Sequence, residues 1–188
     1  MMSDRINRKD LIVEVASELF LQQGYEATSI RQIADEVGVT EAALYYHFKE
    51  GKRQLLQAVF ACQMPNFKQV LEDCHGSQSL AELIQRYGQA VALIAPHTAP
   101  RLRWLISEYP NFAQDAKDFI HKKQVAFHDE LADLIEPFVV DAATADALAW
   151  TLNCVTVGHS QLFDSLELQA IVDMPLKTLM DTLGKRLD

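Results

Sequence analysis

The residues best suited to chemistry lie between Thr28 and Lys52. Glu41, Ala42, Tyr45 and Tyr46 follow the spacing i, i+1, i+4, i+5, so on a helix they share one face, with Leu44 and Phe48 on the other. Two adjacent tyrosines serve solubility poorly on an open face, but phenols suit hydrogen bonds to phosphates and contacts in a DNA groove. The same pair can equally cover neighbouring core. Thr28-Ser29 bring two hydroxyls to a helix start, where free N–H groups and the helix dipole favour an anion. Cations bracket this segment: Arg5, Arg8 and Lys9 before it, Arg31 within it, Lys49, Lys52 and Arg53 after it. Alone, such clusters are commonly only solvated surface.

Elsewhere the residue types are less directed. His121 and His128, seven apart beside Asp129 and Glu130, lack a third convergent ligand, so neither a metal nor another cofactor is expected. Cys62, Cys74 and Cys154 form no C-x-x-C pair and have no basic flank to lower a thiol pKa, which points away from a disulfide framework or redox role and fits a reducing cytoplasm. Tyr87, Trp104, Phe112, Phe119, Phe127 and Trp150 offer lining for an apolar pocket, with Asn153 or His159 as a polar anchor. Aromatics at helical spacing also make plain core. No Ser-His-Asp arrangement, paired-carboxylate spacing or Gly-rich phosphate loop supports an enzyme.

The elements that must position these residues are helical. Leu11, Ile12, Val15, Ala16, Leu19 and Phe20 form one helix face that Gly24 closes. Ser29 with Gln32 reads as a capping box for a short helix through Ile30, Ile33, Ala34 and Val37, which Gly38 ends. Thr40 caps a third helix, Glu41 to Phe48, and a fourth spans about Lys52 to Cys74. Leu80 to Ile94 makes a face that Pro96 ends, and Leu102 to Tyr109 a shorter one before Pro110. Phe112 to Phe138 traces a long helix, and two more run from about Ala142 to Phe163 and from Val172 to Arg186. No Asn-Gly or Asp-Gly hairpin signal occurs.

Composition agrees. Seven glycines and six prolines among 188 residues are too few for collagen, linker or turn-dense all-β chains. The longest uncharged apolar stretch, Gln89 to Pro100, is too short to span a bilayer, and no clean signal-peptide core opens the chain, so a cytoplasmic protein with no membrane partner is expected. The formal charge of −9 argues against nucleic acid if taken whole. It is unevenly spread: residues 1–55 hold 7 Lys+Arg and 9 Asp+Glu, and the remaining residues 10 and 17.

Two short helices joined at Gly38-Val39 behind a longer one read as a helix-turn-helix, although that geometry also occurs in proteins that never touch DNA. The run Gly24-Tyr25-x-x-Thr28-Ser29-Ile30-x-x-Ile33-Ala34-x-x-Val37-Gly38-Val39-Thr40-x-x-x-Leu44-Tyr45-Tyr46-His47-Phe48 strongly resembles the N-terminal domain of the tetracycline-repressor (TetR) family. The resemblance covers about residues 8 to 60. It implies an all-α fold, with a three-helix head over residues 1–52 and a helical ligand-binding and dimerisation body over 53–188. Thr28 or Ser29 is then expected to hold a phosphate and Arg31 to reach phosphate or a groove edge. Glu41, Ala42, Ala43 and Tyr45 stand where the family reads bases, behind the cap Thr40; Tyr46 and His47 stand where it contacts backbone phosphate, with packing as the alternative role for His47. Lys49 and Lys52 follow, but Phe48-Lys49-Glu50-Gly51-Lys52 displaces the family's usual lysine by one position.

The helix from Ala142 to Phe163 is apolar on two faces, Leu148-Leu152-Val155-His159-Leu162 and Ala147-Trp150-Cys154-Val157-Gln161. With the stripe Val172, Leu176, Leu179, Met180, Leu183 and Leu187, it predicts a homodimer through the last two helices. The expected function is a dimeric transcriptional regulator, a repressor released from double-stranded DNA, at a pseudo-palindromic operator, by a largely apolar small-molecule effector. The other reading is a helical-bundle small-molecule-binding protein or enzyme with no DNA role.

Overall fold

The structure, a computed structural model, describes residues 7–62, 64–164, 168 and 171–187, with the side chains of 64–66 and 164 left aside. Arg5 lies outside them. Among the described residues there is no strand. The helices are α1 (Arg8–Gln23), α2 (Ile30–Val37), α3 (Glu41–His47), α4 (Lys52–Ala61), α5 (Met64–Cys74), α6 (Leu80–Glu108), α7 (Gln114–Ile135), α8 (Ala142–His159) and α9 (Leu176–Leu187). Packing divides the chain into two units: Met1–Met64 with Trp104–Ile120, and Pro65–Arg103 with His121–Asp188.

In the first unit, Ile12, Ala16 and Phe20 of α1 are buried with Ile33, Leu44, Phe48, Leu55, Leu56, Phe112 and Ala116. Phe20 is stacked on Trp104 at 5.8 Å between centroids and meets Tyr25 edge-on at 5.2 Å. Arg53 on α4 forms ion pairs with Glu50 and Asp115. This unit therefore takes core from α4 and from residues 104–120 as well as from the three helices of the head.

In the second unit, Val70, Leu71, Leu83, Ile84, Tyr87, Leu131, Ile135, Ala149, Leu152 and Met180 form the core. Close packing at its centre depends on Gly88, where a Cβ would come within 2.6 Å of Met180 Cγ.

Three elements differ from the sequence expectation. The stretch from Lys52 to Cys74 is two helices, α4 and α5, with Pro65 in the first turn of the second, where a missing N–H costs least. Conversely, α6 passes through both Pro96 and Pro100, where the sequence predicted a stop. Each proline removes the bond to the carbonyl four residues back, on Ala92 and on Pro96, and both of those residues are exposed. Water can serve those carbonyls while Ala90 and Ala99 stay buried on the other side. Finally, α8 ends at His159 in a π-turn, Ser160–Asp164, and α9 starts only after Pro175, leaving Val172 outside the helix.

Candidate functional site

The head presents α3 by fixing both of its neighbours. Ser29 Oγ accepts from the Gln32 N–H at 3.1 Å, and Gln32 Oε1 accepts from the Ser29 N–H at 2.8 Å, the reciprocal capping box read from the sequence. At the other end of α2, Gly38 adopts φ +75°, ψ +37°, a left-handed stop that lets the chain turn into α3. Thr40 Oγ1 then accepts from the Ala43 N–H at 3.1 Å.

With both ends set, the faces of α3 separate cleanly. Leu44 and Phe48 are buried. Glu41, Ala42, Tyr45 and Tyr46 are exposed, Tyr45 by 46% and Tyr46 by 79%, while Ala43 and His47 are half-buried. His47 meets Tyr46 edge-on at 5.3 Å. The core-covering alternative for the tyrosines does not apply to Tyr46 at that exposure. Tyr45 is held by the turn behind it: Gly51 has φ +62°, ψ −134°, and a Cβ there would stand 3.2 Å from a Tyr45 ring carbon. The ring thus rests on a bare Cα.

The remaining expected residues divide. Thr28 is buried, and its hydroxyl donates to the Gly24 carbonyl at 2.8 Å and accepts from Gln23 Nε2 at 3.2 Å. That hydroxyl is used inside the head, which leaves Ser29 and the first N–H groups of α2 at its surface. Lys52 Nζ donates to the carbonyls of Tyr25 at 2.9 Å and Glu26 at 3.3 Å and lies 4.3 Å from the Tyr25 ring centroid. Its charge is anchored on the turn that leads to α2, and two of its three N–H groups are occupied. Burial, with Glu26 and Asp115 nearby, raises the Tyr25 phenol above its ordinary value, so the ring stays neutral beneath that cation. Arg31 is exposed and 3.8 Å from Asp35, and Lys49 is exposed without an ion pair among the described residues. Arg53, a member of the basic cluster, is spent on Glu50 and Asp115. Sequence spacing missed Lys52's anchoring because its partners lie 26 and 27 positions away.

The eight candidate ligand residues do not share one environment. Trp104, Phe112 and Phe119 belong to the first unit, where Trp104 packs on Phe20 and Phe112, and Phe119 on Phe60. Tyr87, Phe127, Trp150, Asn153 and His159 belong to the second. Of these, the structure joins Tyr87 and Asn153: the buried phenol donates to Asn153 Oδ1 at 3.3 Å. Burial pushes the Tyr87 pKa up to about 12 against a moderating hydrogen bond with Thr156, and burial likewise pushes the Cys74 thiol up to about 12. His159 Nε2 donates to the Met174 carbonyl at 2.9 Å and stacks on Phe163. His128 is buried, pairs with Asp146 at 2.7 Å and stacks on Trp150 at 4.2 Å. Among the described residues no group of three or more His, Cys, Asp or Glu could hold a metal ion. Nor is any described helix long and apolar enough to cross a membrane.

On α8, Leu152, Ala145 and Ala149 face the body core, whereas Ala147, Trp150 and Cys154 are exposed, Trp150 by 42%. On α9, Leu176 and Met180 serve the chain's own core, Leu179 and Leu183 are half-buried, and Leu187 is exposed. The two-faced character of the eighth helix is thus real, and its second face is open in the single chain.

Residues 12–59 match the family model for bacterial regulatory proteins of the tetR family. Among curated proteins, the regulator SrpR of Pseudomonas putida is 27% identical over 145 residues, which is 77% of this chain and 65% of that protein. The negative regulator of the biofilm operon icaADBC, IcaR of Staphylococcus aureus (strain Newman), is 41% identical over 54 residues, 29% of each chain. The chain covers between 27% and 65% of the first curated relatives it matches. Among solved structures, AibR in complex with isovaleryl coenzyme A and operator DNA superposes with a TM-score of 0.70 at 21% identity, covering 96% of this chain and 97% of that one. At that identity the likeness establishes the fold and no more. Residues 12–59, with their capped helix pair, thus match the tetR family of bacterial regulatory proteins, and the rest of the chain shares the fold of the solved structures it resembles.

Proposed function

We propose that the protein is a transcriptional repressor that binds a pseudo-palindromic operator as a homodimer and is released by a small-molecule effector taken up in its body. The observation that carries the reading is α3, whose Glu41, Ala42, Tyr45 and Tyr46 stand outward on a helix locked from behind by Leu44 and Phe48. In this reading α3 enters the major groove, with Glu41, Ala42, Ala43 and Tyr45 facing base edges. Ser29 with the start of α2, and Arg31, Tyr46, His47 and Lys49, meet the phosphate backbone. Thr40 acts by capping α3, and Lys52 by adding charge to the turn it anchors.

The open face of α8, with help from the exposed edge of α9, supports pairing with a second copy, which would place two heads a multiple of ~34 Å apart on DNA. Names among the relatives also favour repression: IcaR is a negative regulator, and KstR2 of Mycolicibacterium smegmatis is a repressor. The AibR complex, holding both a small molecule and operator DNA, is the precedent for an effector. Release requires the effector to prefer a conformer whose heads mis-space the operator, and a coupling of about 1–3 kcal/mol suffices.

Gel shifts on genomic fragments flanking the gene test the reading. A specific complex at moderate salt is expected; none at low salt would refute it. Tyr45→Ala is expected to weaken the specific complex more than the non-specific one, and Lys49→Ala to weaken both alike. Equal losses for Tyr45→Ala on both DNAs would remove its base-reading role.

A further inference from the structure

The core of the second unit holds a polar cluster whose hydrogen bonds do not balance. Tyr87 of α6, Asn153 of α8 and Cys74 of α5 are buried, and Thr156 of α8 is half-buried. The Tyr87 phenol has a single hydrogen and gives it to Asn153 Oδ1 at 3.3 Å. Thr156, which also bonds the phenol, spends its own hydrogen on the Leu152 carbonyl at 2.8 Å. The Asn153 amide is left over: its buried Nδ2 has no acceptor among the described residues. The cluster is therefore short of an acceptor, and the shortage falls on a side chain only 8% exposed. Unmet amide N–H groups in a core cost stability, and a leucine of similar volume would remove that cost.

Two further features say what would fill the shortage. Packing loosens next to the pair. Tyr87 and Ala90 of α6 are buried, but Val91 and Ile94, which pack against the same core, are only half-buried, and so is Val155 of α8. Apolar side chains that the chain itself does not fully cover thus lie within about two turns of the pair on both helices. The surroundings also disfavour charge. Burial pushes the Tyr87 phenol and the Cys74 thiol up to about 12, and it would penalise a ligand carboxylate in the same way. Arg86, the cation beside Tyr87 in the sequence, is held by Glu82 and the His75 carbonyl.

We infer that Asn153 is the recognition residue of a ligand site in the body, donating its amide N–H to the carbonyl oxygen of a neutral, mostly apolar molecule such as a ketone, ester or lactone. The apolar part of that molecule covers Val91, Ile94 and Val155. Tyr87 is a positioning residue, because its bond to Oδ1 fixes which edge of the amide presents the N–H groups. As the identity of the effector, this rests on the regulator reading above; as a binding site it does not.

Calorimetry on the full chain tests the assignment with 2-butanone through 2-decanone, each below its solubility limit, against the 2-chloroalkane and the carboxylate of the same length. The best-bound ketone is expected to exceed both counterparts at least about tenfold, a difference of about 1.4 kcal/mol. Asn153→Leu is expected to erase that preference and to raise the melting temperature of the unliganded chain by about 2–4 °C, because unmet donors leave the core. Tyr87→Phe, which frees the amide to turn, is expected to lower the preference without erasing it; an unchanged preference there removes the part assigned to Tyr87. A lower melting temperature for Asn153→Leu would show the amide bonded within the fold and overturn the inference. So would the absence of a ketone preference, or its survival in Asn153→Leu. The gel shift separates this from the regulator reading. Operator binding without a ketone preference sinks the site alone, whereas a ketone preference without operator binding sinks the regulator reading and leaves the site.

Discussion

Thr28 and Ser29 are neighbouring hydroxyls that look interchangeable as phosphate ligands, yet one is sealed in the head and the other caps α2 at its surface. The pattern Ser-x-x-Gln identifies Ser29 as the cap, but nothing local shows that Thr28 folds back onto the Gly24 carbonyl. Thr28→Val keeps the shape and removes the donor. It is expected to cost about 1–3 kcal/mol in urea denaturation through the unpaired Gly24 carbonyl and Gln23 amide. Operator affinity per folded molecule should be unchanged, and a loss of affinity without a loss of stability would return Thr28 to the interface. The inward Leu44 and Phe48 and outward Tyr46 were legible because helical spacing alone decides which face they share. Lys52 was not, since its two carbonyl partners reach it only through the tertiary fold.

At the scale of elements, the turn between α3 and α4 sets how α3 is presented. Gly51 sits at φ +62°, ψ −134°, a region that side chains rarely enter, with the Tyr45 ring in the space a Cβ would take. Gly51→Ala is expected to lose ~1–3 kcal/mol of stability and to move the Tyr45 ring, so specific operator affinity should fall further than the folded fraction does. Thermal denaturation alongside gel shifts separates the two effects. In the body, Tyr87 and Cys74 are buried on α6 and α5 with pKa values raised to about 12 from the ordinary 10.0 and 9.0. Above those ordinary values the unfolded chain gives up protons that the folded body keeps. The stabilisation they provide is therefore complete below about pH 9 and drains as pH climbs toward about 12. Tyr87→Phe should flatten the fall of stability between pH 10 and 12; a slope identical to that of the parent chain would contradict burial of a neutral phenol. Helix identity was readable from period, but helix ends were less so. The proline rule failed in α6 because packing on its inner side outweighs two missing bonds whose carbonyls face water, and it held at Pro65 and Pro175, which stand at helix starts.

For the molecule as a whole, the charge of −9 resists DNA, and pairing two copies doubles it. Non-specific binding should accordingly be weak and steeply salt-dependent. Ala147→Arg places a cation in the middle of the open face of α8, away from the body core. It is expected to give monomers by sedimentation with unchanged helicity, and to reduce operator affinity by about tenfold or more by removing the second head. Dimers that persist would move the interface elsewhere. The composition of the first unit was the least legible feature at this scale, because it is set by contacts far apart in sequence. Phe20 stacks on Trp104 and Tyr25 meets Phe112, more than eighty residues away in each case. A graft that ended after α4 would carry a helix pair missing one wall of its own interior, and one that included the wall would have to cut through α6 and α7. The α2–α3 pair in this chain is not a detachable cassette; recombination that moved it would have to carry residues 104–120 with it.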